Sequence, residues 1–249
     1  MIIVNRKNKG ITVSNIWYAR EPVKQAGIHY YYEALQPIGQ DITPFRTLLT
    51  DLTEDEEVIT AKFAKNTRYE IRRAAKEGVQ GTVLYGDEVT DADIDAFCDF
   101  FHRFWESKGR PEMTVDVIHK QIKDYVQAKR FCITKASIDG KTIVYHTYIQ
   151  GDDMMRLFQS ASLFRTDIDI SKSLVGMANR YLHQVDILAF KAKGYKTLDW
   201  GGAGLEEEVA SITKFKADFG GEVANYYNGT EIVGLWPKVA TRLLSMLHR

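Results

Sequence analysis

The sequence predicts a mixed α/β (α+β) fold: a mostly antiparallel sheet with helices on both faces, preceded by a smaller, incomplete strand-rich half. Three observations carry this expectation. Beyond Thr90, apolar residues recur at spacings of three and four in several segments, the period of a helix with one buried face. Those segments alternate with short runs that read as strands, which is the pattern of a sheet covered by helices. The first 50 residues are strand-like and are interrupted by Pro22, Gly27, Pro37, Gly39 and Pro44.

In chain order, the strands ITVSNIWYA, GIHYYYEAL and FRTLLTDL come first. A charged helix is expected over roughly Glu54 to Glu77, stopped by Gly78. The strand VQGTVLY follows, bounded by Gly86 and Asp87. Ile94, Phe97, Cys98, Phe101, Phe104 and Trp105 then mark an amphipathic helix ending near Gly109. Val115, Ile118, Ile122 and Tyr125 mark a second one. Phe131–Ser137 and Lys141–Gln150 are strands joined by Asp139-Gly140, a two-residue hairpin signal. The Gly151-Asp152-Asp153 turn leads to a third strand, Met154–Ser162.

A long helix is expected over Ser173 to Lys193. Its apolar stripe is Leu174, Ala178, Tyr181, Val185, Leu188 and Ala192, and Gly194 is its stop. The short strand Lys196–Trp200 ends in Gly201-Gly202-Ala203-Gly204, and a further helix leads to Gly220-Gly221. EVANYY-NG-TEIVGLW reads as a closing hairpin, with a terminal helix starting at Pro237. The division expected from this pattern is residues 1–88 and 89–249, the two halves sharing a core.

Composition narrows the function classes. The 249 residues carry 33 basic and 33 acidic groups, so a dedicated nucleic-acid binder is disfavoured while a local basic patch stays open. No apolar run approaches the roughly 18 residues of a membrane-spanning helix. The start, MIIVNRKNKG, lacks a secretory layout, so a cytoplasmic location is expected. Cys98 and Cys132 have no Cys or His at ligand spacing, so neither a disulfide framework nor a metal site is expected.

Between Lys62 and Lys76 lie six basic residues and one acid. Lys65, Arg68, Arg72 and Lys76 fall on one helical face, which suits phosphate neutralisation; the alternative is a solvated face with intrahelical pairs. In the segment Ile212–Gly221, a lysine beside aromatic residues suits a developing oxyanion; the alternative is an ordinary amphipathic helix with a glycine cap. His146 lies mid-strand, where it is either a general base facing a cleft or a satisfied sheet residue. His183 and Asp186 stand three apart on the long helix and are candidates to pair. Glu206, Glu207 and Glu208 suit a helix start. Gly201 and Gly202, between a strand and a helix, offer backbone N–H groups to an anion. With no GxxxxGK[ST], GxGxxG, GxSxG or HExxH pattern, serine hydrolase and metalloprotease readings drop out.

KNTRYEIRRAAKEGV, DWGG and FKADFGG together resemble the Fem-type peptidyltransferases of bacterial cell-wall synthesis. More broadly they resemble the GNAT superfamily of acyltransferases, whose fold those enzymes double. The resemblance covers about Leu48 to Tyr227. It implies a GNAT-like sheet preceded by an incomplete GNAT-like half, an acyl or aminoacyl donor, and an amine acceptor. In the Fem branch the donor is an aminoacyl-tRNA and the acceptor a peptidoglycan precursor. It further implies that Lys216 stabilises the tetrahedral intermediate and that Phe215 lies beside the reacting centre. Asn66, Thr67, Arg68, Arg72 and Arg73 would then face donor or acceptor phosphates. The chain is shorter than typical Fem proteins and lacks their helical-hairpin arm, a departure from a tRNA donor. RTDIDISKSLVG lacks the Q/R-x-x-G-x-G/A loop for coenzyme A, a departure from acyl-CoA. The donor thus stays open between the two. The alternatives are an acyl-CoA-dependent N-acetyltransferase acting on an amino sugar and a non-catalytic phosphate- or RNA-binding module.

Overall fold

A computed structural model describes residues 1–110, 115–163, 169–204 and 207–239. The chain folds as two compact units, Met1–Thr47 with Val223–Arg249, and Leu48–Glu222. Residue 88, the boundary expected from sequence, lies inside the second unit.

In the first unit, β1 (Ile2–Asn8), β2 (Ile11–Trp17), β3 (Gly27–Ala34) and β10 (Glu222–Val233) lie in the order β1-β2-β3-β10. The first strand, β1, was not anticipated from the sequence. It returns antiparallel to β2 through Lys9 and Gly10, both at positive φ, the backbone of a tight hairpin turn. Strand β3 runs parallel to β2 and antiparallel to β10. Ile16, Ala19, Tyr31, Ala34 and Ile38 form a core cluster. The Tyr31 hydroxyl donates to Glu231 Oε2 (2.9 Å) and accepts from Val23 N (2.9 Å).

The closing hairpin expected at Asn228-Gly229 does not form, because β10 runs unbroken through both residues. They make a bulge instead, with the β3 register shifting between Tyr227 and Gly229. The side-chain oxygen of Asn228 accepts from Glu33 N (2.9 Å). A Cβ on Gly229 would stand 2.3 Å from Ile38 O, so glycine answers here to close backbone approach, not to a turn. The terminal helix expected at Pro237 begins at residue 235; residues 240–249 lie outside the described residues.

The second unit holds the end of β4 (Gln40–Asp51), β5 (Gln80–Tyr85), β6 (Phe131–Ile138), β7 (Lys141–Gln150), β8 (Met154–Ser162) and β9 (Thr197–Asp199), in the order β4-β9-β8-β7-β6-β5. Among these described strands β8 and β9 pair in parallel and the other neighbours antiparallel. Among the described residues this unit has six helices: α1 (Glu56–Ala61), α2 (Lys65–Lys76), α3 (Asp91–Glu106), α4 (Val115–Gln127), α5 (Lys172–Ala192) and α6 (Glu207–Ala217). A Thr90–Asp93 capping box starts α3, and the Ser171 side chain caps α5. Side-chain alternation along β7 shows helices on both faces. Tyr145 packs on Phe97 and Phe100 of α3, whereas His146 reaches α5.

Two expectations change. The single helix over Glu54–Glu77 is two helices, broken at Lys62–Ala64. There Phe63 turns inward onto Phe219 (5.1 Å between ring centres) and Ala64 N donates to Asp218 O (2.8 Å). On α5 the buried residues are Val175, Met177, Ala178, Leu182, His183, Asp186, Ile187 and Phe190; of the expected stripe Ala178 is among them, and Leu174, Tyr181, Val185 and Leu188 are half-buried against the core. The helix packs on both the sheet and α2, so its buried face is wider than one apolar stripe.

Candidate active site

On α5, Asn179, His183 and Asp186 are spaced by four and three, which aligns them on one face. On β7, His146 and Tyr148 share the face opposite them. His146 donates through Nδ1 to Asp186 Oδ2 (2.7 Å), and its Nε2 meets the side-chain oxygen of Asn179 (2.8 Å). Tyr148 donates its hydroxyl to the same Asp186 oxygen (2.6 Å). The His183 ring stacks on His146 with centres 3.9 Å apart and planes at 23°. Asp186 and both histidines are buried, and such groups are costly inside a protein unless they hold one another. Burial, and then the Asp186 charge, push the Tyr148 hydroxyl well up. Burial, and then His146, Lys216 and Arg180, push His183 well down, so it is neutral at physiological pH.

His183 also touches Trp200, Phe219 and Phe215 at 4.9, 5.4 and 5.6 Å. Trp200 closes β9 and donates its indole N–H to Thr50 Oγ1 (2.9 Å). The chain then turns at Gly201, whose φ is +59° and where a Cβ would lie 2.8 Å from Leu157 O. Lys216 Nζ donates to the carbonyls of Gly201 and Gly202, the latter at 2.8 Å. Gly201 N donates to Asp199 Oδ1 (2.8 Å). The carbonyls of this loop orient a cation, and the Gly201 N–H is engaged by the Asp199 carboxylate. At the far end of α6, Gly220 has φ +80° and a Cβ there would meet Lys62 Cβ at 2.6 Å, so the FGG ending is demanded by packing.

The basic helix α2 divides into distinct roles. Thr67 is buried; Asn66 donates to Glu70 (2.7 Å), and Arg68 to Ala61 O (2.6 Å). Arg73 pairs with Glu77 (3.5 Å), whereas Arg72 is exposed with no partner among the described residues. Glu70 pairs with Arg180 Nε of α5 (3.0 Å), and the Arg180 guanidinium lies 4.9 Å from the Phe215 ring centre. Motifs far apart in sequence therefore meet in one place: Phe63 with Phe219, Glu70 through Arg180 with Phe215, and Lys216 with Gly201 and Gly202.

His146 is buried, and both its ring nitrogens are engaged, one by Asp186 and one by Asn179. His183 and Asp186 do not pair with each other, but both meet His146. Sequence reasoning missed Asn179, Arg180 and Tyr148; only the α5 spacing hinted at the first two, and the alternation along β7 at the third. Burial pushes the Cys132 thiol well up and Cys98 to about 11, which removes both as thiolate nucleophiles. Leu205 and Glu206, and the stretch 164–168 of RTDIDIS, lie outside the described residues.

His146, His183 and Asp186 each offer a ligand atom, all within 4.8 Å of one another. Nδ1 of His146 already donates to Asp186 and its Nε2 already meets the Asn179 oxygen, so these groups hold one another as a polar clamp.

The sheet and its helices resemble the GNAT-like fold. The crystal structure of FemX matches 97% of this chain and 85% of its own, with a TM-score of 0.64 at 10% identity. The C-terminal domain of a putative lysylphosphatidylglycerol synthetase from Agrobacterium fabrum matches 98% of this chain and 85% of its own, with a TM-score of 0.52 at 12% identity. L-PGS from Bacillus licheniformis matches 88% of this chain and 72% of its own, again with a TM-score of 0.52 at 12% identity. The sequence matches no family model and no curated protein.

Proposed function

We propose that this chain is an acyltransferase, moving an acyl or aminoacyl group from an activated carrier to an amine on a cell-envelope or surface-glycan precursor. The observation that carries the reading is the Lys216 ammonium, held at the Gly201 and Gly202 carbonyls beside Phe215. The two carbonyls fix the position of the ammonium. In the reaction the amine nitrogen attacks the donor carbonyl carbon, and the carbonyl oxygen gathers negative charge. A fixed cation aimed at that oxygen stabilises the tetrahedral intermediate more than the ground state. The bond to the carrier then breaks, the carrier leaves as its thiol or hydroxyl with the proton that the amine gives up, and the amide remains. Sharing a fold with FemX and L-PGS supports the class of reaction by analogy alone.

No helix among the described residues is long and apolar enough to cross a membrane, and we place the reaction in the cytoplasm. The donor is an acyl-CoA or an aminoacyl-tRNA. Thermal unfolding with each donor class is the test. A ligand at about 100 times its dissociation constant stabilises by roughly 2.7 kcal/mol. A shift with one class, followed by amide formation from it, identifies the donor. Binding without transfer to any amine would instead leave a phosphate-binding module working through α2, whose affinity would fall steeply with salt.

A further inference from the structure

We propose that Arg180 anchors an oxyanion-binding subsite beside Lys216, receiving a carboxylate or phosphate group of a substrate. The proposal deepens the transferase reading by assigning that anion to a substrate, although the binding itself needs no turnover.

Arg180 is built into place from three sides. Its Nε lies 3.0 Å from Glu70 Oε2, and Asn66 fixes the other Glu70 oxygen (2.7 Å). Its guanidinium carbon stands 4.9 Å from the Phe215 ring centre, within reach of cation–π attraction. Its Nη1 faces Gly176 O at 3.4 Å. The two N–H groups on Nη2 have no partner among the described residues, and the side chain is 23% exposed. A planar donor group held on one edge and open on the other is suited to bidentate capture of a carboxylate or phosphate.

The surroundings add to this. Arg180 precedes His183 by three residues on α5, and Lys216 follows Phe215 on α6. Arg180 lies over the Phe215 ring, which in turn lies against the buried His183, and Lys216 is the next residue along α6. A neutral His183 adds no charge to compete with an incoming anion. Glu70 offsets part of the Arg180 charge, but its larger effect is to fix the direction of the fork.

The test titrates sodium pyrophosphate and sodium succinate into the whole chain at constant ionic strength, read by calorimetry and by the unfolding midpoint. Saturable binding is expected for at least one probe, abolished by Arg180→Met and weakened at least tenfold by Arg180→Lys, which keeps the charge but loses the fork. Arg180→Lys also retains a cation for Glu70, so it decides the matter if Arg180→Met fails to fold. Lys141→Met, at the exposed hairpin end of β7, should bind like wild type. A preference for pyrophosphate points to a phosphate of the carrier or a nucleotide-linked acceptor, and a preference for succinate points to an acceptor carboxylate. The proposal is overturned by unaltered binding in both Arg180 variants, by equal loss in Lys141→Met, or by no saturable binding of either probe. The transferase reading fails separately, on turnover in Lys216→Ala.

Discussion

Lowering the pH from 7.5 to 5.0 should destabilise the protein through His183. The ring is 2% exposed, and burial together with three neighbouring basic side chains holds its pKa well below the ordinary 6.5. The folded state therefore binds fewer protons than the unfolded chain below pH 6.5, so this contribution is complete above that value and is lost as the pH falls. Each pH unit below 6.5 costs up to about 1.4 kcal/mol for one such group, and the drop to pH 5.0 sums to roughly 2 kcal/mol. The assay is urea unfolding at a series of pH values, followed by tryptophan fluorescence, since Trp200 touches the ring. His29 is also pushed down by burial and adds a loss of the same sign, so wild type alone does not isolate the effect. His183→Phe does, because a phenyl ring fits the same aromatic nest and takes no proton. Its stability should fall less steeply over this range, by about 2 kcal/mol in total. Parallel curves for wild type and His183→Phe would refute the account.

Lys216→Ala should lower turnover by about 100-fold or more, with far-UV dichroism unchanged, as expected when a fixed oxyanion-stabilising group is removed. Asp186→Asn removes the charge that His146 and Tyr148 both address, and should cost about 3 kcal/mol or more in chemical denaturation. Gly220→Ala forces a Cβ against Lys62 at φ +80° and should cost roughly 2–4 kcal/mol, shown by a lower unfolding midpoint. Asn228→Ala leaves Glu33 N without its acceptor and should cost about 1–2 kcal/mol; an unchanged midpoint would mean that the bulge holds without that bond.

Local signals with a single physical meaning were legible. The Asp139-Gly140 turn, the α3 periodicity and the Gly194 stop each rest on a few neighbouring residues, and the corresponding elements lie where the pattern puts them. Asn228-Gly229 misled because the same two residues serve a hairpin turn or a bulge. The choice depends on Glu33 and Ile38, almost 200 positions away. The split of the first long helix was hidden for a like reason, since Phe63 leaves the helix to meet Phe219.

The sequence by itself determined the alternation of helices and strands and the local chemistry that Lys216 and the basic helix offer. These follow from side-chain period and residue type within a dozen neighbours. The tertiary structure alone decided which of those residues work together. It clamped His146 between Asn179 and Asp186, aimed Lys216 at the Gly201 and Gly202 carbonyls, and set Arg180 between Glu70 and Phe215. The physical reason is that a side chain's protonation and reach depend on the groups folded against it, and a linear pattern carries no distance between them.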